Sequence, residues 1–342
     1  MSRDAPDTAA VDPAHDPGVD AARERAGATG LTEAPVLTAP GGGRIRIGTA
    51  GWTDPTLTAP GVFYPDGTSS AEARLRHYAD VFPMVEVDAP FYALPTARMA
   101  QLWAERTPPD FVFDVKAHAL MTGHPTEVKR LPTVLRDALP KDVAAKGRIY
   151  PKDVPADVMD ALWGGFVDAL QPLVAADKLG AILLQYPRWF VPGAPARDEL
   201  LRARERLEGL PLSVEFRARS WFSAKTADHT LRFLSEHDLP FVMVDEPQGL
   251  RSSVPPVVAV TSPRLAIVRL HGRRGDQWER RGTTVAEKYR YLYDRAELEE
   301  WVPKIVEAAR QSERTHVVFN NCFANYGTTN ALEMGALLAA AT

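Results

Sequence analysis

What the chain lacks narrows it first. Its 342 residues include one cysteine, Cys322, which leaves no disulfide framework and no thiolate metal cluster. A lone thiol after an apolar run reads as a small buried side chain before it reads as a nucleophile. No stretch approaches the ~18 apolar residues of a membrane span. The N-terminus has no apolar segment of the secretory type, so the expectation is a soluble, cytoplasmic protein. An excess of charge is missing too: Lys+Arg 40 against Asp+Glu 44 gives a net charge of -4. No global basic field therefore advertises nucleic acid or anionic membrane. Residues 1–40 contain no aromatic side chain and no sustained apolar period. Such a segment buries too little surface to offset its ordering entropy, which predicts a disordered tail ending at Gly41-Gly42-Gly43. A short helix over 19–25 would have no partner there.

Residues 41–342 follow a different pattern. Eight short runs, 45–48, 84–87, 111–115, 181–184, 212–216, 241–244, 265–270 and 316–319, are apolar at almost every position. That suits parallel strands covered on both faces. Helical spacing recurs between them. Ser69-x-x-Glu72 reads as a capping box ahead of Leu75, Tyr78, Ala79 and Phe82. Pro95 reads as a helix start ahead of Met99, Leu102 and Trp103. Further helical segments cover 157–173, 197–207, 226–237, 294–310 and 330–340, and Pro303 predicts a kink or a later start in the fourth of these. Strands alternating with helices predict one (β/α)₈ TIM-type barrel over 41–342. The alternative, an open doubly wound sheet, lacks its signature: Gly48-Thr49-Ala50-Gly51-Trp52 does not have G-x-G-x-x-G spacing. After the third strand, the proline-rich stretch 116–155 predicts a long loop over the barrel mouth, with a short helix near 134–139.

In such a barrel, chemistry is built at the C-terminal ends of the strands. Those positions carry Trp52; Glu86, Asp88, Phe91 and Tyr92; Lys116 and His118; Gln185; Glu215 and Arg217; Asp245 and Glu246; Arg269 and His271; Asn320 and Asn321. Burying that many charges costs several kcal/mol unless they pair or bind something. Internal ion pairs, Glu215 with Arg217 or Glu86 with Lys116, are the plain alternative to a site. As a site, Glu86, Lys116, Glu215 and His271 are the catalytic candidates. Arg217, Arg269, Arg273, Asn320 and Asn321 are the anion-binding candidates. The loop His271-Gly272-Arg273-Arg274-Gly275 and the helix opening Gly327-Thr328-Thr329-Asn330 lie where barrels often hold phosphate. Trp52, Phe91, Tyr92, Gln185, Trp221 and Asp245 are expected to line the pocket. Trp189 joins the aromatic group, which either stacks on a sugar or base or packs in the core. Glu86, Glu215 and Asp245 with His271 offer hard ligands for a divalent metal, although no compact motif such as H-E-x-x-H supports one. Glu86 and Glu215, on strands two and five, stand across the mouth as acid/base pairs do in glycosidases.

The string of motifs resembles one family. Ile47-Gly48-Thr49-Ala50-Gly51-Trp52, Phe63-Tyr64-Pro65-Asp66-Gly67 and Val85-Glu86-Val87-Asp88-Ala89-Pro90-Phe91-Tyr92 are similar to the opening of the YecE-like family, domain of unknown function 72. The likeness continues through Phe113-Asp114-Val115-Lys116, Leu184-Gln185-Tyr186-Pro187, Val214-Glu215-Phe216-Arg217, Val268-Arg269-Leu270-His271-Gly272 and Phe319-Asn320-Asn321. The resemblance implies a TIM-type barrel and supplies no reaction. This chain departs from the family pattern at Asp88, where Asn is common, at His118, where Pro is common, and at Cys322, where an acidic residue is frequent. Residues 131–155 read as an insertion. The functional expectation is an enzyme, a hydrolase or isomerase, acting by acid/base chemistry on a small anionic, phosphorylated or sugar-like ligand. A nucleic-acid binding or processing protein, or a non-catalytic ligand-binding barrel, is the alternative.

Overall fold

The computed structural model describes residues 13, 16–280, 282 and 284–342. The barrel strands are β1 (Arg44–Ala50), β2 (Met84–Val87), β3 (Val112–Lys116), β4 (Leu179–Gln185), β5 (Leu212–Glu215), β6 (Val242–Asp245), β7 (Leu265–Leu270) and β8 (Arg314–Phe319). They pair in parallel in the order β5-β4-β3-β2-β1-β8-β7-β6. The two ends of that path meet only at the bridge between Val214 and Phe241, where the Val214 N–H donates to the Pro240 carbonyl at 2.8 Å. The result is a nearly closed barrel, and all eight apolar runs are its strands.

The helices of nine or more residues are α1 (Pro17–Ala28), α2 (Ala71–Val81), α3 (Ala97–Glu105), α4 (Ala156–Ala175), α5 (Ala194–Arg206), α6 (Ala227–Glu236), α7 (Val302–Arg310) and α8 (Tyr326–Ala339). Six of the seven crossovers between strands hold one or more of them. The connection from β6 to β7, residues 246–264, holds none. Local signals were right in kind and shifted in detail. The cap of α2 is Ser70, which accepts from the Ala73 N–H at 3.0 Å, while Glu72 turns to Arg76 and Arg106. Thr96, not Pro95, caps α3. Pro303 lies in the first turn of α7, where its missing N–H leaves no broken bond; the expected helix over 294–310 is divided, a short helix Arg295–Glu299 ending just before α7. The long segment after β3 is folded. Thr126–Glu127 pairs antiparallel with Arg148–Ile149, and Val128, Leu131, Leu135, Leu139, Val143 and Ile149 join the main core.

The disordered tail was drawn too far into the chain. Residues 16–40 form α1 and a short strand, Leu37–Thr38, that pairs antiparallel with β1. The helix does have a partner: Val19 and Ala22 pack with Val62, Phe323, Ala324 and Tyr326. Aromatic residues absent from the segment are supplied by the barrel. The remainder of the expected tail, 1–12, 14 and 15, lies outside the described residues.

Strand side chains alternate between the barrel interior and the helical layer. At its tightest the interior leaves no room for any side chain. A Cβ on Gly48 would stand 2.2 Å from the backbone oxygen of Met84 on the neighbouring strand. Gly48→Ala is therefore expected to lower stability by about 2 kcal/mol, read from urea unfolding. A wild-type midpoint would contradict the packing of β1 on β2. Among the described residues no helix is long and apolar enough to cross a membrane.

Candidate functional site

Ten strand-end groups face the barrel mouth: Glu86 and Asp88, Lys116, Gln185, Glu215 and Arg217, Glu246, Arg269 and His271, and Asn320. At their centre Arg269 is fully buried and donates from Nη1 to Glu215 and from Nη2 to Glu86. One guanidinium thus bridges the two carboxylates expected to stand apart as an acid/base pair. Glu215 is the hub of the remainder. Its Oε1 lies 2.6 Å from Arg217 Nε, accepts from Gln185 Nε2 at 2.8 Å and lies 3.4 Å from His271 Nε2. Arg217 reaches onward to Glu246 at 2.6 Å, and Glu246 also accepts from the Val254 N–H at 2.5 Å. The plain expectation of an internal Glu215–Arg217 pair holds. Lys116, in contrast, pairs with Asp88 at 3.2 Å rather than with Glu86, its ammonium 4.7 Å from the centre of the Phe91 ring.

These environments separate the carboxylates. Burial opposes charge on Glu215, but Arg217 and Arg269 outweigh it and hold the carboxyl well below its ordinary range. Burial dominates at Glu86 and at Glu246, and pushes each up to about 7 despite Arg269 and Arg217 respectively. Burial and then Arg217 push His271 well below its usual value, so its imidazole is neutral. Its Nδ1 lies 2.8 Å from the Asn320 amide nitrogen, and its Nε2 lies 3.1 Å from Arg217 Nη2 and 3.4 Å from Glu215. Cys322 is driven far up by burial and the nearby Asp88, Asp54 and Glu86, and it donates to the Ala50 carbonyl at 3.2 Å. It is an inert thiol.

Several expected site residues are turned elsewhere. Asp245 accepts from Trp301 Nε1 at 2.9 Å and from Arg273, on the side of the helical layer. Its neighbour Glu246, named at the same strand end but given no site role, takes the inward place. Arg273 is held by Asp245, Glu297 and Glu300. Asn321 donates to the Tyr291 carbonyl and to Asn330. The N-terminus of α8, expected as an anion cradle, is already covered by protein: Asn325 donates to the Val19 carbonyl, Thr329 to the Ala22 carbonyl, and Gly327 through Asn330 are buried. Trp221 is fully buried in a stack with Phe216 and Phe190, and donates to the Phe190 carbonyl at 2.6 Å. Trp52 packs edge-on against Trp103. Both are core residues rather than pocket walls. Phe91 and the half-exposed Tyr92 do reach the rim. The proposed metal ligands are not gathered either. Arg269 sits between Glu86 and Glu215, Asp245 points away, and among the described residues no three His, Cys, Asp or Glu side chains converge as a metal set.

Loops contribute what strand ends could not reveal. After β7, Trp278, Lys288 and Tyr289 fold back over the mouth. Lys288 Nζ stands 4.5 Å from the centre of the Trp278 ring and Arg217 stands 5.3 Å from it. Burial, then Arg217, Lys116 and Arg188, pull the Lys288 ammonium down to about 8. On the opposite rim His124, from the start of the long segment, lies edge-on to Phe91 and Trp189. Burial, with Lys116 and Arg217, lowers it to about 4. No sequence periodicity marks these loop residues.

Eight parallel strands with a buried carboxylate–guanidinium network at their C-terminal ends define a TIM-type barrel with a polar mouth. The chain belongs to the family described as "Protein of unknown function DUF72", whose sequence model matches residues 46–342. It is 32% identical over 297 residues to the UPF0759 protein YunF of Bacillus subtilis (strain 168), covering 86% of this chain and 94% of that protein. Among solved structures it is similar to a DUF72 family protein of Thermotoga maritima, with TM-score 0.67 and 28% identity over 86% of this chain and 99% of that one. A DUF72 family protein of Enterococcus faecalis shares the fold at TM-score 0.69 and 23% identity, over 86% of this chain and 95% of that one. None of these names carries a reaction.

Proposed function

We propose that this barrel binds a small metabolite carrying a doubly charged anionic group, phosphate foremost, and acts on it by acid/base chemistry. The observation that carries this reading is the gathering of Lys116, Arg217 and Lys288 at one opening, with Lys288 lacking any carboxylate within salt-bridge distance among the described residues. Like charges held this close repel, and an anion among them relieves that repulsion while gaining charge-assisted hydrogen bonds. The anion site is assigned to Lys288 with its neighbours Arg217 and Lys116, which also pair with Glu215, Glu246 and Asp88. It is not assigned to Arg269, fully buried between two carboxylates, or to Arg273, turned to the helical layer. Phe91, Trp278 and Tyr289 supply apolar faces for a sugar-like remainder.

The proton chemistry falls to Glu86. Its carboxyl changes charge near neutrality, and Oε1 is fixed by Arg269 while no hydrogen bond to Oε2 exists among the described residues. Glu215, held ionised, keeps Arg217 and Arg269 in place. Two carboxylates of separated affinity in one mouth divide an acid/base task between them.

Calorimetry on the full chain with inorganic phosphate, sugar phosphates, the same sugars without phosphate and a single-stranded oligonucleotide tests the reading. Phosphorylated compounds are expected to bind, and Lys288→Met to weaken them at least about tenfold, the usual worth of one charge-assisted contact. Glu86→Gln is expected to abolish turnover with binding changed only a few-fold. Binding confined to unphosphorylated sugars, or to the oligonucleotide with a steep salt dependence, overturns the proposal.

A further inference from the structure

The rim that carries Lys288 and Tyr289 is fastened by a part of the chain that precedes the family match. α1 ends before residue 46, yet it touches three mouth loops at once. Arg23 donates to the Gly61 carbonyl in the loop after β1 at 2.7 Å. Arg25 donates to the Tyr293 carbonyl at 2.6 Å and pairs with Glu333 of α8 at 2.7 Å. Val19 and Ala22 pack on Val62, Phe323 and Tyr326, with Ala286 and Leu292 against the same cluster. The helix comes so close that a Cβ on Gly18 would stand 2.0 Å from Tyr326 Oη.

Asp16 is the pivot of this arrangement. Its side chain is almost wholly buried, its Oδ1 caps α1 by accepting from the Gly18 N–H at 2.9 Å, and its Oδ2 accepts from Arg290. Arg290 lies over the Phe323 ring, 4.7 Å from its centre. Arg290 is next to Tyr289 and two residues from Lys288. A buried carboxylate that both starts a helix and anchors a loop arginine transmits the seat of α1 directly to that loop.

We propose that Asp16 is a positioning residue for the barrel mouth, fixing through Arg290 the loop that presents Lys288 and Tyr289. α1 is then a working part of the site and not an appendage. Only the ligand-binding arm of its test rests on the anion reading given above.

The experiment uses the full chain with Asp16→Asn, Arg290→Met and Arg290→Lys. Asp16→Asn keeps an N-cap and removes the ion pair, and Arg290→Lys keeps the charge. Lysines are reductively methylated with ¹³C and titrated by NMR, with Lys288→Arg assigning the resonance. In the wild type Lys288, facing Lys116, Arg188, Arg217 and Glu246, is expected to titrate near 8. In Asp16→Asn and Arg290→Met it is expected to move up by at least about one unit toward an ordinary lysine, with Arg290→Lys close to wild type. In parallel, Kd for inorganic phosphate is expected to rise at least fivefold in the two disrupted variants. An unmoved Lys288 titration in folded Asp16→Asn and Arg290→Met overturns the proposal, as does an ordinary lysine titration in the wild type. A shifted titration in a protein that binds no phosphate supports the positioning role and defeats only the anion reading. If Asp16→Asn fails to fold, Arg290→Met reads the same pair from the loop side.

Discussion

Arg269→Met is expected to destabilise the fold by about 3–5 kcal/mol, measured as the shift in urea unfolding. Methionine fills much of the volume, so the effect is electrostatic. It leaves Glu86 and Glu215 facing each other without the guanidinium that bridges them, both nearly inaccessible to water. Removing one member of a buried ionic set strands the others, whereas removing the whole set does not. The triple variant Glu86→Gln, Arg269→Met, Glu215→Gln is therefore expected to fall short of the sum of its parts, because it strands only Arg217 in place of a carboxylate pair. If Arg269→Met unfolds at the wild-type urea concentration, water reaches the network and the picture of a desolvated triad is wrong.

The pH dependence of stability is the second large effect. Glu86 and Glu246 are each pushed up to about 7 from 4.5. Between those values the folded state holds protons that the unfolded chain has released. Stability from these two groups therefore falls as pH rises from about 5 to about 7.5, by on the order of 3 kcal/mol for each fully realised shift. Glu215 works in the opposite sense. Its lowered value stabilises the fold above about 4.5, and that contribution is lost as pH falls toward its folded value. The contribution of Glu86 and Glu246 is expected to decline between about pH 5 and 7.5, opposed below about 6.5 by the lowered His124 and His271, with Glu86→Gln flattening the decline. Unfolding curves collected from pH 4 to 8 check this. A Glu86→Gln profile parallel to wild type means that Glu86 ionises like an exposed carboxylate, and the proton role assigned to it fails with it.

Much of this was legible along the chain, for reasons that particular residues make plain. The run Leu265–Leu270 could be read as a strand because its apolar residues stand together between polar ends, a property of neighbours. Pro303 marked the interruption before α7 because proline's missing N–H acts on its own turn. Glu86, Lys116, Glu215 and Arg269 were recognisable as mouth residues because a charge at the end of an apolar strand has few other places to be. Of the two acids named at the end of β6, Asp245 was chosen for the pocket and Glu246 passed over for the complementary reason. In a strand apolar on both faces the two-residue alternation is silent, so the sequence does not tell which of two adjacent acids points inward. Trp52 and Trp221 were left between two readings, of which the core holds, because an aromatic ring near a strand end reads the same whether it lines a pocket or packs beneath a loop.

The sequence by itself determined the eight strands, most of their helices, the family, and the stock of charged groups at one end of the barrel. Each of those depends on residues close together in the chain. Only the tertiary structure decided which charges meet. Arg269 finds Glu86 across 183 positions of sequence, and Asp16 finds Arg290 across 274. Such pairings follow from strand tilt, register and closure, which no local pattern encodes. The same closure placed Lys288 over the mouth and gave α1, which cannot bury a face alone, the barrel as its partner.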